Sequence, residues 1–441
     1  MAEEESEKMG RYRTGEISAN EDNNTFMWSK LPKDAQHKVL SYLPVQILCQ
    51  LRCVCKEWRD VIHRRDFCSM FDAVTSSRDL EPRPVMCYLE SSYPARFVCT
   101  SYDYEGRMWK KMGSFPSPPQ SNLTAHNVQN HSLFSVGGLL LLYRPKFPPG
   151  HNYSNPDYLH SGVSSWTVWH PFRNRWKRLP PCKYKVSGRA PFFVHAFVSD
   201  AERKTYKIVM AHLDPDHHSA NHPIDDNLKK LVTEIYDSAT GVWTDGAEHT
   251  LKFVQRHLDP RHSSIRRGVL CGGVVYFETG GIESDVLLLY DIDSDQWDEH
   301  TDHDCDYRVF EWDGHLMSIR SEWLSCTGGS RKICFTERDA ATRVWSDTGI
   351  EIPTKLIRRF PECDFRALDP EEFPDATFEI VASGNRVALT GYSKDGCFRI
   401  AVYRRAENYW RVPPAGAFNE KLKPSRVGGL VLHTPRLEWR P

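Results

Sequence analysis

Hydrophobic positions along this chain follow two different periods, and the change falls near residue 85. Before it, apolar residues recur at helical spacing in three short runs. Val39, Leu40 and Leu43 lie at i, i+1, i+4; Ile47, Leu51 and Val54 lie at i, i+4, i+7, with Leu48 beside them; Trp58, Val61 and Ile62 lie at i, i+3, i+4. Pro32 suits a first helical turn and Pro44 ends one helix before the next begins. The third run closes among His63, Arg64 and Arg65, cations that favour a helix C-terminus. The spacing therefore predicts three helices within about 40 residues.

Such a unit is too short to cover its own apolar side chains. Burying one contributes roughly 1.5–3 kcal/mol, so each one left wet is a measurable loss, and domains of about 40 residues are marginal alone. Docking onto the rest of the chain would relieve this; so would a second molecule. The pattern alone fits both.

After residue 85 short strands replace helices. Trp109, Trp176, Trp243, Trp297, Trp345 and Trp410 recur at intervals of 67, 67, 54, 48 and 65 residues, each after a strand and a polar turn. Gly137-Gly138, Gly272-Gly273, Asp313-Gly314 and Gly384-Asn385 lie upstream of most of them. These pairs permit the positive φ that two-residue hairpins demand. A repeated four-strand unit of this length predicts a propeller, with each Trp packed between neighbouring blades. Six anchors predict six blades. Val427 to Leu432 forms one further strand with no unit after it, and it would complete the first blade.

Composition narrows the function classes. A net charge of −1 gives no overall field to attract nucleic acid or acidic lipid. No apolar run reaches the roughly 18 residues of a spanning helix. Glu3, Glu4, Glu5 and Glu7 are unlike a signal peptide, and residues 1–25 are expected to be a disordered tail. Thirteen cysteines, an odd number, point to reduced thiols and thus to the cytoplasm or nucleus.

The order of residues adds a resemblance. Leu31-Pro32, then Val39-Leu40-Ser41-Tyr42-Leu43-Pro44, then Leu51-Arg52-Cys53-Val54-Cys55-Lys56-Glu57-Trp58-Arg59 resembles the F-box. The resemblance implies docking of a Skp-type adaptor, and through it a cullin, by Leu31, Pro32, Leu40, Leu43, Pro44, Leu48, Val54, Cys55 and Trp58. Residues 268–300 resemble a kelch repeat, and Trp166 to Pro181 resembles a unit of plant F-box proteins, with His170 in place of the usual Asn. The implied whole is α+β: residues 26–72 an F-box, 73–84 a linker, and 85–441 a kelch-like propeller. Its implied function is substrate recognition in an SCF ubiquitin ligase, without enzyme activity of its own.

Target capture is expected on one face. The a–b and c–d turns of the four-strand units are tight, whereas length varies in the b–c connections (144–165, 212–230) and the d–a connections (246–265, 350–375). Both variable sets emerge at the same end of an up-and-down blade, on a rigid scaffold. Phe147, His151, Tyr153 and Tyr158 offer aromatic contacts. Arg261, Arg266, Arg267, Arg358 and Arg359 offer guanidinium groups for a carboxylate or phosphate of the target protein.

Other chemistry has weaker support. His212, His217, His218 and His222 with Asp214 and Asp216 lack the regular spacing of a preorganised metal site, so neither metal nor cofactor is expected. The propeller also resembles the galactose oxidase scaffold, but no Tyr–Cys–His copper set is assignable. A propeller scaffold unconnected with ubiquitin is the remaining alternative.

Overall fold

In a computed structural model the described residues are 28–77 and, between 83 and 433, the strands and tight turns of a series of sheets. The connections 78–82, 91–95, 104–107, 117–131, 145–164, 183–192, 214–228, 252–265, 279–285, 302–308, 325–329, 354–378, 393–397 and 413–426 and single turn residues such as 137, 171–172, 174 and 384, like residues 1–27 and 434–441, lie outside them.

Residues 28–77 form a short 3-10 turn (Trp28–Lys30) and four helices, α1 (Lys33–Ser41), α2 (Val45–Leu51), α3 (Lys56–His63) and α4 (Arg65–Ser77). Pro32 and Pro44 are the N-caps of α1 and α2, because proline cannot supply an interior N–H. Cys55 caps α3, its Sγ accepting from the Trp58 N–H at 3.4 Å. The pattern predicted three helices and missed α4. Its signal is Phe67, Met70, Phe71 and Val74, at i, i+3, i+4, i+7. α4 also carries the helical unit past the expected boundary at residue 72. Phe67, Cys68 and Phe71 of α4 close a core with Leu40, Val45, Leu48 and Ile62.

The strands make six sheets, five of them four-stranded, and four of those five are built from four consecutive strands. Blade 2, for instance, is Ser132–Val136, Leu139–Arg144, Ser165–His170 and Arg175–Arg178, all antiparallel. Blade 3 is Phe193–Asp200, Thr205–Leu213, Lys229–Asp237 and Val242–Asp245, and blade 4 is Val269–Cys271, Val274–Glu278, Val286–Asp291 and Gln296–Thr301. Blade 5 is Val309–Trp312, His315–Leu324, Ser330–Arg338 and Trp345–Glu351, and blade 6 is Glu379–Ser383, Arg386–Tyr392, Phe398–Arg404 and Tyr409–Arg411. Blade 1 takes its three outer strands from Arg83–Glu90, Arg96–Asp103 and Met108–Pro116 and its innermost strand, Val427–His433, from the far end of the chain. The innermost strands touch in ring order: Val427–His433, Ser132–Val136, Phe193–Asp200, Val269–Cys271, Val309–Trp312, Glu379–Ser383, and back to Val427–His433. The ring is a six-bladed propeller closed by the last strand, which removes the edge that Arg83–Glu90 would otherwise expose.

The Trp anchors all lie on outermost strands, and each pairs across to a residue seven positions earlier. Tyr290 faces Trp297, Tyr236 faces Trp243 and Tyr403 faces Trp410, with ring centroids 4.9, 5.3 and 5.3 Å apart. The turn between them needs one residue at positive φ, met by Gly241, Asp295, Arg343 and Asn408 in blades 3 to 6. Three indoles reach back to the preceding blade. Trp243 Nε1 donates to the Pro180 carbonyl, Trp297 Nε1 to Thr233 Oγ1 and Trp410 Nε1 to the Glu351 carbonyl, each at 2.9 Å. Trp176 departs from the expectation: it is 43 % exposed on the outer edge of blade 2.

The helices and the sheets meet at the tight-turn end. Arg173, in the turn between the last two strands of blade 2, donates from its Nη2 to Cys68 Sγ of α4 at 3.0 Å.

Candidate functional site

The helical unit has an inside and an outside, and the division is not the one read from spacing. Leu40 and Leu48, expected to touch an adaptor, are 2 % and 0 % exposed. They belong to the unit's own core, because α4 packs over them. In α2 the inward positions are Val45 and Leu48, i and i+3, with Leu51 half-buried. That rotation turns Ile47 and Val54 outward, Val54 to 65 % exposure. On α1, Val39 and Tyr42, three residues apart and so on one face, are likewise exposed.

The other expected contact residues lie at this surface or its margin. Pro32, Pro44 and Cys55 are exposed, while Leu31, Leu43 and Trp58 are half-buried. Trp58 packs edge-on against Trp28 at 5.5 Å, which stiffens the entrance to α1. Gln36 holds the same corner by donating to the Trp28 and Leu31 carbonyls. The surface is thus apolar side chains on short helices whose core is already closed. Val39, Tyr42 and Ile47 were missed because their partner helix, α4, was missed.

Charge gathers at the other corner of the unit. Burial, reinforced by Arg52, Arg173 and Arg175, holds the His63 imidazole below its ordinary pKa. Asp60 opposes them.

The expected target-binding residues fare differently. Phe147, His151, Tyr153, Tyr158, Arg261, Arg358 and Arg359 lie outside the described residues. Arg266 and Arg267 were expected among the target contacts of the variable face. Their backbone instead forms a short strand, pairing in parallel with Val194 and His195 of the innermost strand of blade 3. Gly268 follows, with its N–H donating to the His195 carbonyl at 2.7 Å. A Cβ there would meet Phe277 at 2.4 Å and Val275 at 2.7 Å, so only glycine allows the chain to cross between blades 3 and 4.

His212 is buried within the strand Thr205–Leu213; His217, His218, His222, Asp214 and Asp216 lie outside the described residues. Among the described residues no three His, Cys, Asp or Glu side chains are grouped to hold a metal. A cavity of about 340 Å³ opens between blades 5 and 6, among Trp312, His315, Met317, Glu337, Tyr403 and Arg405. It lies at the tight-turn end.

Comparison with known proteins bears on the helical unit. Residues 28–70 match the F-box domain. An F-box protein of Arabidopsis thaliana is 30% identical over 80 residues, 17% of this chain and 19% of that one. Jacalin-related lectin 38 of the same plant is 49% identical over 37 residues, 8% of this chain and 7% of that one. The chain thus aligns with less than a fifth of either relative. TolB from Acinetobacter baumannii covers 84% of this chain and 73% of its own, at 10% identity and a TM-score of 0.40. The lectin SapL1 covers 65% and 82%, at 12% identity and a TM-score of 0.35. These two structural likenesses are too distant to bear on function. The F-box and the propeller together fit, in general terms, an SCF substrate adaptor.

Proposed function

We propose that this chain is the substrate-recognition subunit of an SCF ubiquitin ligase, acting in the cytoplasm or the nucleus and catalysing no reaction itself. The observation that carries the reading is the exposed apolar surface of Val39, Tyr42, Ile47 and Val54 on a unit that matches the F-box. A core closed by α4 leaves Val39, Ile47 and Val54 partly exposed, and a Skp-type adaptor would cover them. The adaptor in turn holds a cullin.

In this reading the kelch-like blades form a rigid mount for target capture. The Cys68–Arg173 contact places the helices at the tight-turn end. The b–c and d–a connections therefore leave from the opposite end, away from the adaptor. A target bound there is held near a ubiquitin-conjugating enzyme, and the chain contributes effective concentration rather than chemistry.

The test is affinity capture of a purified Skp-type protein by the full chain. Val39→Asp with Val54→Asp should abolish capture while leaving the melting temperature unchanged. Undiminished capture by that double variant would overturn the reading. Target capture is tested separately by shortening connections 145–164 and 214–228 to tight turns. Capture of targets from cells treated with a proteasome inhibitor should then be lost, while adaptor binding persists.

A further inference from the structure

Blade 2 differs from blades 4 and 5 at its rim. Its outermost strand reads Arg175-Trp176-Lys177-Arg178, and all four residues are exposed. The corresponding strand of blade 4 carries Asp298 and Glu299, and that of blade 5 carries Asp347 and Glu351. Arg175, Lys177 and Arg178 make no ion pair with any described carboxylate, although the chain as a whole is nearly neutral. The turn before the strand adds Arg173, and the adjoining F-box corner adds Arg52; their charges and that of Arg175 converge on His63. One strand and the corner beside it thus concentrate five cations, while Asp60 opposes them at His63.

The backbone of the strand is half used. Leu179 donates its N–H to the Trp166 carbonyl at 2.9 Å. In an antiparallel ladder hydrogen-bonded residues alternate, so Lys177 and Arg175 also bond inward, across to Val168 and His170. The N–H and C=O groups of Trp176 and Arg178 therefore face outward from the last strand of the sheet. Four residues present about 13 Å of such edge. An extended polypeptide can satisfy those groups, and acidic side chains on it can neutralise the cations beside them. A nucleic acid offers charge and stacking on Trp176 but no matching ladder.

We propose that the outer edge of blade 2 binds an acidic polypeptide segment, which adds to the sheet as a strand along Arg175–Arg178. Binding of this kind combines main-chain hydrogen bonds for affinity with alternate side chains for specificity. The charged row has a second role, since it repels basic strands and would lose hydration on pairing with apolar ones, the kind that open edges otherwise recruit. None of Arg175, Trp176, Lys177 and Arg178 belongs to the F-box apolar surface of Val39, Tyr42, Ile47 and Val54, so the inference stands whether or not the ligase reading does.

The experiment uses the full chain and a fluorescein-labelled peptide of alternating Glu and Val, read by fluorescence anisotropy. The expected result is saturable binding that weakens with salt and falls at least roughly tenfold with Arg175→Glu and Lys177→Glu together. Those side chains are exposed, and an unchanged melting temperature shows that the variant is folded. The same peptide N-methylated on alternate residues keeps its charge but cannot form the ladder, and it should not bind. Three results would overturn the proposal: no binding of the peptide, equal binding by the charge-reversed chain, or equal binding of the N-methylated peptide. Tighter binding of a single-stranded oligonucleotide of equal charge would overturn it too, in favour of a nucleic-acid surface.

Discussion

Leu48 in the F-box and Phe277 in the propeller are both fully buried, but the residues that cover them come from very different distances along the chain. Leu48 packs against Leu40, Val45, Ile62, Phe67, Cys68 and Phe71, a core built within about 30 residues. Phe277 packs among Val194, Ala196, Val209, Leu231 and Tyr290, drawn from two blades. The local core closes early and cheaply in loop entropy, yet four short helices have too much surface for their volume. Val39 and Val54 are left outside. The distant core costs more chain to assemble and leaves little outside, because each blade covers its neighbour and Val427–His433 closes the ring. What stays exposed at the rim is charge mixed with single apolar side chains such as Trp176, Val242 and Tyr409. One region ends with an apolar surface in need of a partner; the other ends as a scaffold.

Breaking the ring should have the largest effect. Removing residues 427–441 strips six registered pairs from Arg83–Glu90 and costs on the order of 5 kcal/mol in hydrogen bonds alone. Calorimetry should show loss of the cooperative propeller transition. Within the F-box, Leu48→Ala opens a cavity in the local core and should cost about 2–5 kcal/mol, read as a lower urea midpoint with loss of adaptor capture. Gly268→Ala attacks the crossing between blades 3 and 4 instead. The new methyl meets Phe277 and Val275, and overpacking of this kind costs about 1–3 kcal/mol. Adaptor capture should survive it, since the F-box core shares none of those residues.

Surface changes should sharpen the contrast without unfolding either region. Val54→Ser should move stability by no more than ~0.5 kcal/mol while weakening adaptor capture in a binding assay. The smallest effect is expected at His63, where the two regions meet. Burial and three arginines lower its pKa in the fold, so the unfolded chain takes up the proton first. Stability is therefore full above about pH 6.5 and falls as pH drops below it, until the folded imidazole itself protonates. Urea midpoints measured across that window should flatten in His63→Asn.

Several features of the fold are legible from short-range pattern. Pro32 and Pro44 mark two helix starts because a missing N–H is tolerated only there. The pairs Gly272-Gly273 and Asp313-Gly314 mark hairpins because both residues in each pair adopt positive φ. The recurring Trp marks six outermost strands. The tyrosines seven residues earlier were equally readable, since a five-residue gap holding one positive-φ position separates them from the residue before each Trp. Trp176 shows the limit: its spacing is that of its counterparts, and its exposure is not.

Local order thus determined which elements this chain builds and where they start and stop, because caps, turns and periodicity act over a few residues. Three matters were decided only by the assembled molecule. α4 chose which side of α1 and α2 faces inward, and so which leucines are core and which valines are surface. Val427–His433 found Arg83–Glu90 across more than three hundred residues. Arg266 and Arg267 joined a parallel ladder that no neighbouring residue specifies. Each depends on a contact between distant segments, whose free energy exists only once both have already folded to meet.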